Sequence, residues 1–191
     1  MKKAVIIILT MFFMPLITLA QTTIHCLIKT QLGNIAIELY PAKAPVTVAN
    51  FMHYVDDKQY NGSSFFRICT PTNEANRKVK IQVIQGGNVP DKMSFDSIKI
   101  ETTNYTGILH KNGTLSMARS GPNSATSEFF ICINDQSALD YGGARNPDRQ
   151  GFAAFGKVTA GMDVVKKIQS QKDTFQYLVN PVKILQISRV K

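Results

Sequence analysis

The segment that decides the fold, residues 113–133, reads GTLSMARSGPNSATSEFFICI. Two short apolar runs, residues 114–118 and 129–133, flank a polar loop of Arg, Ser, Gly, Pro, Asn and Thr. Short apolar runs separated by such turn residues predict a strand, a loop and a second strand. An aromatic residue, Phe130, follows the loop closely. We therefore expect this segment to hold an extended guest against Phe130.

The first twenty residues differ in character from the rest of the chain. Lys2 and Lys3 precede an almost unbroken apolar run over residues 4–19, and small residues stand at positions 18 and 20. This pattern is typical of a secretory signal peptide. A retained membrane anchor is the alternative, but no Trp, Tyr or basic cluster marks the far interface. We predict a signal peptide over residues 1–20, export to the periplasm or the medium, and no stable membrane insertion after cleavage.

The remaining residues 21–191 are numerous and apolar enough to form one domain with its own core. The chain has 22 Lys and Arg against 13 Asp and Glu, a net charge of +9. These basic residues are scattered and match no nucleic-acid-binding motif, so we interpret them as a solvated surface and predict no nucleic-acid partner.

The cysteines and histidines indicate neither a metal site nor a redox motif. Cys26, Cys69 and Cys132 form no C-x-x-C pair, and the three histidines do not stand at metal-ligand spacing. We predict no metal and no cofactor. Cys132 lies in an apolar strand and is expected to be an inert core residue. An oxidising compartment would allow Cys26 to pair with Cys69, and that alternative stays open.

The whole chain predicts about eight strands and two helices without internal repeats. Many short strands with turn signals favour a β-barrel or sandwich over a parallel α/β sheet. Outside the opening segment, the predicted strands cover residues 24–30, 34–39, 63–68, 81–85, 151–158 and 181–190, and the helices cover residues 46–57 and 162–169.

Two polar residues stand out on the predicted strands. Strict alternation places Arg67 on the same face as Phe65. On the strand pattern alone, Arg67 is interpreted as a rim residue whose stem packs on apolar neighbours. The alternative is a fixed guanidinium that offers planar donors to a carbonyl group beside an aromatic pocket. On the next strand, Gln85 shares a face with Val83 and presents an amide beside an apolar wall.

Six ordered segments resemble the cyclophilin family of peptidyl-prolyl isomerases. They stand at compatible spacing over essentially the whole chain after residue 20, and the chain is similar to exported, bacterial-like members. The segments are PAKAPVTVANF (41–51), YNGSSFFRI (60–68), VIQGG (83–87), GTLSMARSGPNSATSEFFI (113–131), LDYGG (139–143) and GFAAFGKVTAGMDVV (151–165).

The resemblance implies a mainly β fold, a closed eight-stranded antiparallel β-barrel capped by two α-helices. It also implies faster rotation of X-Pro bonds, which assists the folding of exported proteins. The expected partners are proline-containing segments of unfolded or exported proteins, and we expect a monomer. The alternative function is a non-catalytic peptide-binding or chaperone module on the same groove. We do not predict a hydrolase, because no Ser or Cys has a His at a matched motif position.

The resemblance assigns the site residues as well. It implies catalytic roles for Arg67, Gln85 and Phe130, with Phe130 in the proline pocket. The remaining substrate-binding positions are Val83, Ala118, Arg119, Glu128, Leu139 and Phe152. The chain departs from the family at Glu128, where Gln is usual, because an ionised carboxylate accepts hydrogen bonds but donates none. It also departs at residues 69–80, where a polar insertion replaces a short apolar turn.

Overall fold

The computed structural model describes residues 23–190, so the predicted signal peptide lies outside the described residues. Residues 23–190 form nine β-strands and three α-helices. None of the helices in this part of the chain is long and apolar enough to span a membrane. The elements are β1 (Ile24–Thr30), β2 (Gly33–Leu39), α1 (Pro45–Asp56), β3 (Ser64–Cys69), β4 (Val83–Gly86), α2 (Thr103–Thr106), β5 (Thr114–Met117), β6 (Phe129–Cys132), β7 (Ala153–Ala160), α3 (Met162–Gln169), β8 (Asp173–Thr174) and β9 (Tyr177–Arg189).

Eight of these strands close into a barrel. Neighbouring strands follow the order β1, β2, β7, β5, β6, β4, β3 and β9, and β9 pairs back with β1. All of these pairings are antiparallel. The two-residue strand β8 forms a hairpin with the start of β9. The predicted closed eight-stranded antiparallel barrel is therefore confirmed.

The helices α1 and α3 were both predicted, and α2 is a single additional turn. Pro45 opens α1, where its missing N–H costs nothing. The buried carboxylate of Glu101 accepts hydrogen bonds from the backbone N–H of Val46 at 3.2 Å and of Thr47 at 2.8 Å. Glu101 thereby satisfies N–H groups that the first helical turn leaves without partners, and its charge suits that end of the helix.

Aromatic side chains fill much of the barrel interior. The ring of Phe129 packs edge-to-face against Phe51 of α1 and Phe65 of β3, with centroid distances of 5.4 and 5.8 Å. This geometry brings the positive edge of one ring to the negative face of another. The next residue of β6, Phe130, belongs instead to a separate apolar cluster outside this core. Strand β6 therefore connects the core to the outer surface of the barrel.

A β-bulge in β3 changes the direction of Arg67. Phe65 lies opposite Gly86 of β4, whereas Arg67 lies opposite the adjacent Gln85. Phe66 is thus the extra residue of the bulge. As a result Phe65 faces the core while Arg67 lines an outer cavity. The prediction that Phe65 and Arg67 share one face is wrong, because two-residue alternation holds only in an unbroken ladder.

The backbone at Gly87, directly after β4, lies close to that of Ser127, just before β6. Gly87 has φ of +83°, and a Cβ there would lie 2.8 Å from the carbonyl oxygen of Ser127. We expect Gly87→Ala to lower the free energy of unfolding by about 2–4 kcal/mol, because the cost of a left-handed backbone at alanine adds to the cost of the steric clash. Gly62 is a matched control, since it has the same φ of +83° but nothing within 4 Å of a Cβ. Gly62→Ala should cost about 1 kcal/mol in urea unfolding, and equal losses in the two variants would contradict the clash.

Candidate active site

An open groove of about 550 Å³ lies on the outside of the barrel, between β3, β4, β6 and the loops beside them. It brings together all nine residues that the sequence assigned to the site. They are Arg67, Val83, Gln85, Ala118, Arg119, Glu128, Phe130, Leu139 and Phe152.

One half of the groove is an apolar pocket. Phe130 forms its floor and is only 5% exposed, with Val83 and Leu139 buried beside it. The ring of Phe152 meets Phe130 edge-on, at 5.3 Å between centroids and an interplanar angle of 88°. Ile81 also lines this half. The pocket offers a small ring-shaped apolar group contacts on several sides.

The other half carries a chain of polar side chains centred on Arg67. Nη1 of Arg67 donates to Oε1 of Gln85 at 2.7 Å. Nε2 of Gln85 in turn donates to Oε2 of Glu128 at 2.7 Å. Because an ionised carboxylate only accepts, Glu128 makes Gln85 turn its carbonyl oxygen toward Arg67. The departure from the family at Glu128 therefore orients Gln85.

The structure adds Gln176, which sequence reasoning missed. Oε1 of Gln176 accepts hydrogen bonds from Nε of Arg67 at 3.1 Å and from Nη2 at 2.5 Å. Gln176 lies 109 residues from Arg67 in a turn that showed no motif. No pattern in the sequence connects the two residues, so only the closed fold shows that they meet.

The polar insertion at residues 69–80 contains one buried acid, Glu74. The Glu74 carboxylate forms an ion pair with Arg145 and accepts the backbone N–H of Ile81 at 2.8 Å. Its Oε1 also accepts a hydrogen bond from Nε2 of Gln176 at 3.1 Å. The insertion therefore connects to the Arg67 network through Gln176.

Arg119 supports the wall of the groove with its side chain. Its guanidinium forms a two-pronged ion pair with Asp148, at 2.7 and 2.8 Å, and donates to the carbonyl of Gly151 at 2.8 Å. It also lies over the ring of Phe152, 5.2 Å from the centroid. The backbone N–H of the adjacent Ala118 donates to the carbonyl of Glu128. These contacts hold the groove walls together.

A buried Ser-His-Asp group lies beneath the apolar pocket, although the sequence predicted no such arrangement. Nδ1 of His110 lies 2.8 Å from Oδ1 of Asp140, and Nε2 lies 3.0 Å from the Ser116 hydroxyl. His110 and Ser116 are 1% and 0% exposed, so a substrate carbonyl does not reach the hydroxyl. The His110 ring stacks on Phe130 at 5.9 Å between centroids. The group therefore supports the pocket floor and is not a hydrolytic centre.

The three cysteines are free and buried. Cys26 lies in the barrel core and Cys69 in the outer apolar cluster, so the open alternative of a bond between them is not realised here. Burial raises the pKa of Cys26 and of Cys69 to about 11, and it raises the pKa of the Cys132 thiol further. All three are protonated at neutral pH and are poor nucleophiles and metal ligands.

The ion pair between Glu74 and Arg145 should make the stability of the fold depend on pH in the acid range. Burial alone would raise the pKa of the Glu74 carboxyl, but hydrogen bonds from Arg145 and Ile81 outweigh it, and the pKa is lowered. A lowered pKa stabilises the fold above the unfolded-state value of about 4.3, and this contribution is lost as pH falls through the folded-state value. Glu74→Gln should therefore cost about 3 kcal/mol at pH 7 and progressively less below pH 4.

Denaturant unfolding between pH 3 and pH 7 measures this dependence. Asp135→Asn is the matched control, because Asp135 pairs with Lys111 at an exposed site where both side chains are more than half accessible. Exposed pairs contribute little, so this variant should change stability far less at every pH. If Glu74→Gln lowered the free energy of unfolding by the same amount at every pH from 3 to 7, the proposed link between the Glu74 pKa and stability would be wrong.

A closed antiparallel barrel with an outer groove, in which an arginine lies beside an aromatic pocket, has the architecture of the cyclophilins. The chain belongs to that family: the family model described as cyclophilin type peptidyl-prolyl cis-trans isomerase/CLD matches residues 25–189. The protein is therefore a peptidyl-prolyl cis-trans isomerase of the cyclophilin type, as predicted.

Bacterial isomerases are among its similar proteins. A peptidyl-prolyl cis-trans isomerase of Acinetobacter baylyi is 42% identical over 173 residues, covering 88% of this chain and 82% of the relative. Peptidyl-prolyl cis-trans isomerase B of Escherichia coli is 36% identical over 145 residues, covering 73% of this chain and 80% of the relative. A crystal structure of a cyclophilin-type isomerase from Cryptosporidium parvum matches with a TM-score of 0.72 at 20% identity, covering 89% of this chain and 99% of that one. That last likeness supports the fold.

Proposed function

We propose that this isomerase acts on proline-containing segments of exported proteins and assists their folding outside the cytoplasm. The sequence of residues 1–20 supports export, because a basic start, an apolar run and small residues before Gln21 are typical of a cleaved signal peptide. The observation that carries the catalytic proposal is the position of Arg67, fixed by two amides beside an apolar pocket in one open groove.

The reaction needs no nucleophile, since no covalent bond breaks. Amide resonance gives X-Pro rotation a barrier of about 18–20 kcal/mol, and the uncatalysed change takes tens to hundreds of seconds. An enzyme accelerates it by binding the twisted amide more tightly than either planar form. The groove must therefore hold the proline ring still and stabilise the amide as it loses resonance.

Each half of the groove suits one of these tasks. The pyrrolidine ring fits the apolar pocket over Phe130, with Val83, Leu139 and Phe152 as its walls. Arg67 donates a hydrogen bond to the prolyl carbonyl, which places its positive charge beside the amide nitrogen. As the amide loses resonance, the lone pair becomes localised on that nitrogen, and its attraction to the guanidinium strengthens in a partly desolvated groove. Gln85, oriented by Glu128, holds Arg67 and helps to fix the peptide backbone.

Two further substrate positions lie in the same groove as Arg67. Ala118 and Arg119 follow the C-terminal end of β5, so a peptide that occupies the groove runs past their backbone. A similar solved structure, that of a Cryptosporidium parvum cyclophilin, was determined in the presence of the dipeptide Ala-Pro. This supports the proposal that the groove of the present protein takes proline-containing segments. We propose that the protein binds such segments as a monomer.

Expression of the full chain in a Gram-negative host tests the proposal of export. We expect the protein in the periplasm or the medium, with Gln21 as the first residue by mass spectrometry, and as a monomer in sedimentation. A chain that lacks residues 1–20 is the control and should remain inside the cell. Recovery of full-length protein from the cytoplasm would refute export.

The purified mature protein should also accelerate a proline-limited refolding phase of a test protein.

A further inference from the structure

We propose that Gln176 is a positioning residue that holds the Arg67 guanidinium in its working orientation. The inference rests on the catalytic role proposed above for Arg67. Gln176 accepts from Nε and Nη2, which form one edge of the guanidinium, and Gln85 accepts from Nη1 on another edge. Acceptors on two edges of a planar fork determine both its place and its plane.

The backbone at Gln176 is unusual for this residue type. Phe175 and Gln176 form the two-residue loop between β8 and β9, with φ of +50° and +76°. A hairpin loop with two positive φ values favours Asn and Gly, and other residues there carry a backbone cost. Phe175 is 90% exposed, whereas the side chain of Gln176 contacts Arg67. Backbone cost of this kind concentrates at functional sites.

Gln176 is itself oriented by the insertion. Its Nε2 donates to Glu74, whose side chain is fully buried and paired with Arg145. Because the Glu74 carboxylate can only accept, Gln176 turns its amide nitrogen to Glu74 and its oxygen to Arg67. Glu128 imposes the same orientation on Gln85 from the other side. Two acids thus direct two amide oxygens at one guanidinium, and residues 69–80 supply one of the acids.

The substitution Gln176→Gly removes the side chain but preserves the turn, so it tests the two contributions separately. Glycine suits φ of +76°, so the turn forms at least as readily while both hydrogen bonds to Arg67 are lost. We expect kcat/KM for a proline test peptide to fall about 5- to 50-fold, because a loosely held catalytic group loses its alignment. The loss should lie in kcat, with the substrate Kd changed less than twofold, since the apolar pocket is intact. The melting temperature should fall by a few degrees at most, because relief of the left-handed backbone offsets part of the lost hydrogen bond to Glu74.

Phe175→Gly is the matched control, because it relaxes the same turn without a contact to Arg67, and it should leave kcat/KM unchanged. A second measurement is the Nε–H resonance of Arg67, which should be protected from exchange in the parent protein and in Phe175→Gly but not in Gln176→Gly. Unchanged activity of Gln176→Gly beside an impaired Arg67→Ala would overturn the positioning role alone. An equal loss in Phe175→Gly would overturn it as well. A fully active Arg67→Ala would refute the proposed role of Arg67 and this inference together.

Discussion

Arg67→Ala is expected to lower kcat/KM for X-Pro isomerisation by about two to three orders of magnitude. This is the usual cost of removing one hydrogen-bond donor that stabilises the charge of a transition state. The loss should appear mainly in kcat, because the apolar pocket still binds the proline ring. The free energy of unfolding should fall by about 1–3 kcal/mol, the cost of the lost charge-assisted hydrogen bonds, while Gln85 keeps its bond to Glu128 and Gln176 keeps its bond to Glu74. A protease-free isomerisation assay, with circular dichroism of the same sample, measures both quantities.

Two further variants sharpen this test. Arg67→Lys keeps the positive charge but cannot donate from the two edges of a planar fork, so it should recover little of the lost rate. Arg189→Ala removes a guanidinium that pairs with Asp56 on the exposed surface and does not line the groove. It should leave kcat/KM unchanged. If Arg67→Ala retained the activity of Arg189→Ala, Arg67 would not be the catalytic donor.

Phe130→Ala is expected to produce the largest loss of stability, because it removes the pocket floor. Truncating a buried Phe costs about 3–5 kcal/mol, which is a large part of the total stability of a typical domain. Phe130→Leu keeps much of the apolar volume and should fold. With Leu, we expect KM to rise about tenfold, because the flat face that supports the proline ring is lost. Substrate titration by NMR reports the change in Kd directly.

Phe129→Leu is the control from the adjacent position on β6. Phe129 faces the barrel core, so this variant should lose stability to a similar extent without a change in substrate affinity. The comparison separates binding from folding, because the two rings lie on opposite faces of one strand. A similar rise in KM in both variants would show that Phe130 acts only through the stability of the barrel.

Local patterns predicted the regular elements well. The helix predicted over residues 162–169 has those bounds in the structure, since Val164, Val165 and Ile168 recur at helical spacing and are buried. The opening hairpin is also confirmed, because Gln31 and Leu32 form the turn between two alternating strands and Thr30 pairs with Gly33. Barrel closure followed from the family resemblance. Strand alternation alone left a barrel and a sandwich open, since both bury one face of each strand.

Prediction from pattern failed where the backbone departs from regular geometry. The bulge at Phe66 moves Arg67 to the opposite face from Phe65, and no residue type in the strand signals the extra residue. The buried Ser-His-Asp group went unpredicted for a related reason. His110 and Asp140 lie 30 residues apart and meet only when the loop after β6 folds back against the segment before β5.

Residue types in six short, ordered segments were enough to predict the family, the nine groove residues and the type of chemistry. The contacts that hold Arg67 could be found only in the folded chain. The partner of Arg67, Gln176, lies 109 residues away, and Glu74 lies 71 residues from Arg145. Side-chain hydrogen bonds over such separations depend on barrel closure and on one strained turn, and neither leaves a periodic signal in the chain. The orientation of the Arg67 guanidinium is therefore a property of the closed fold.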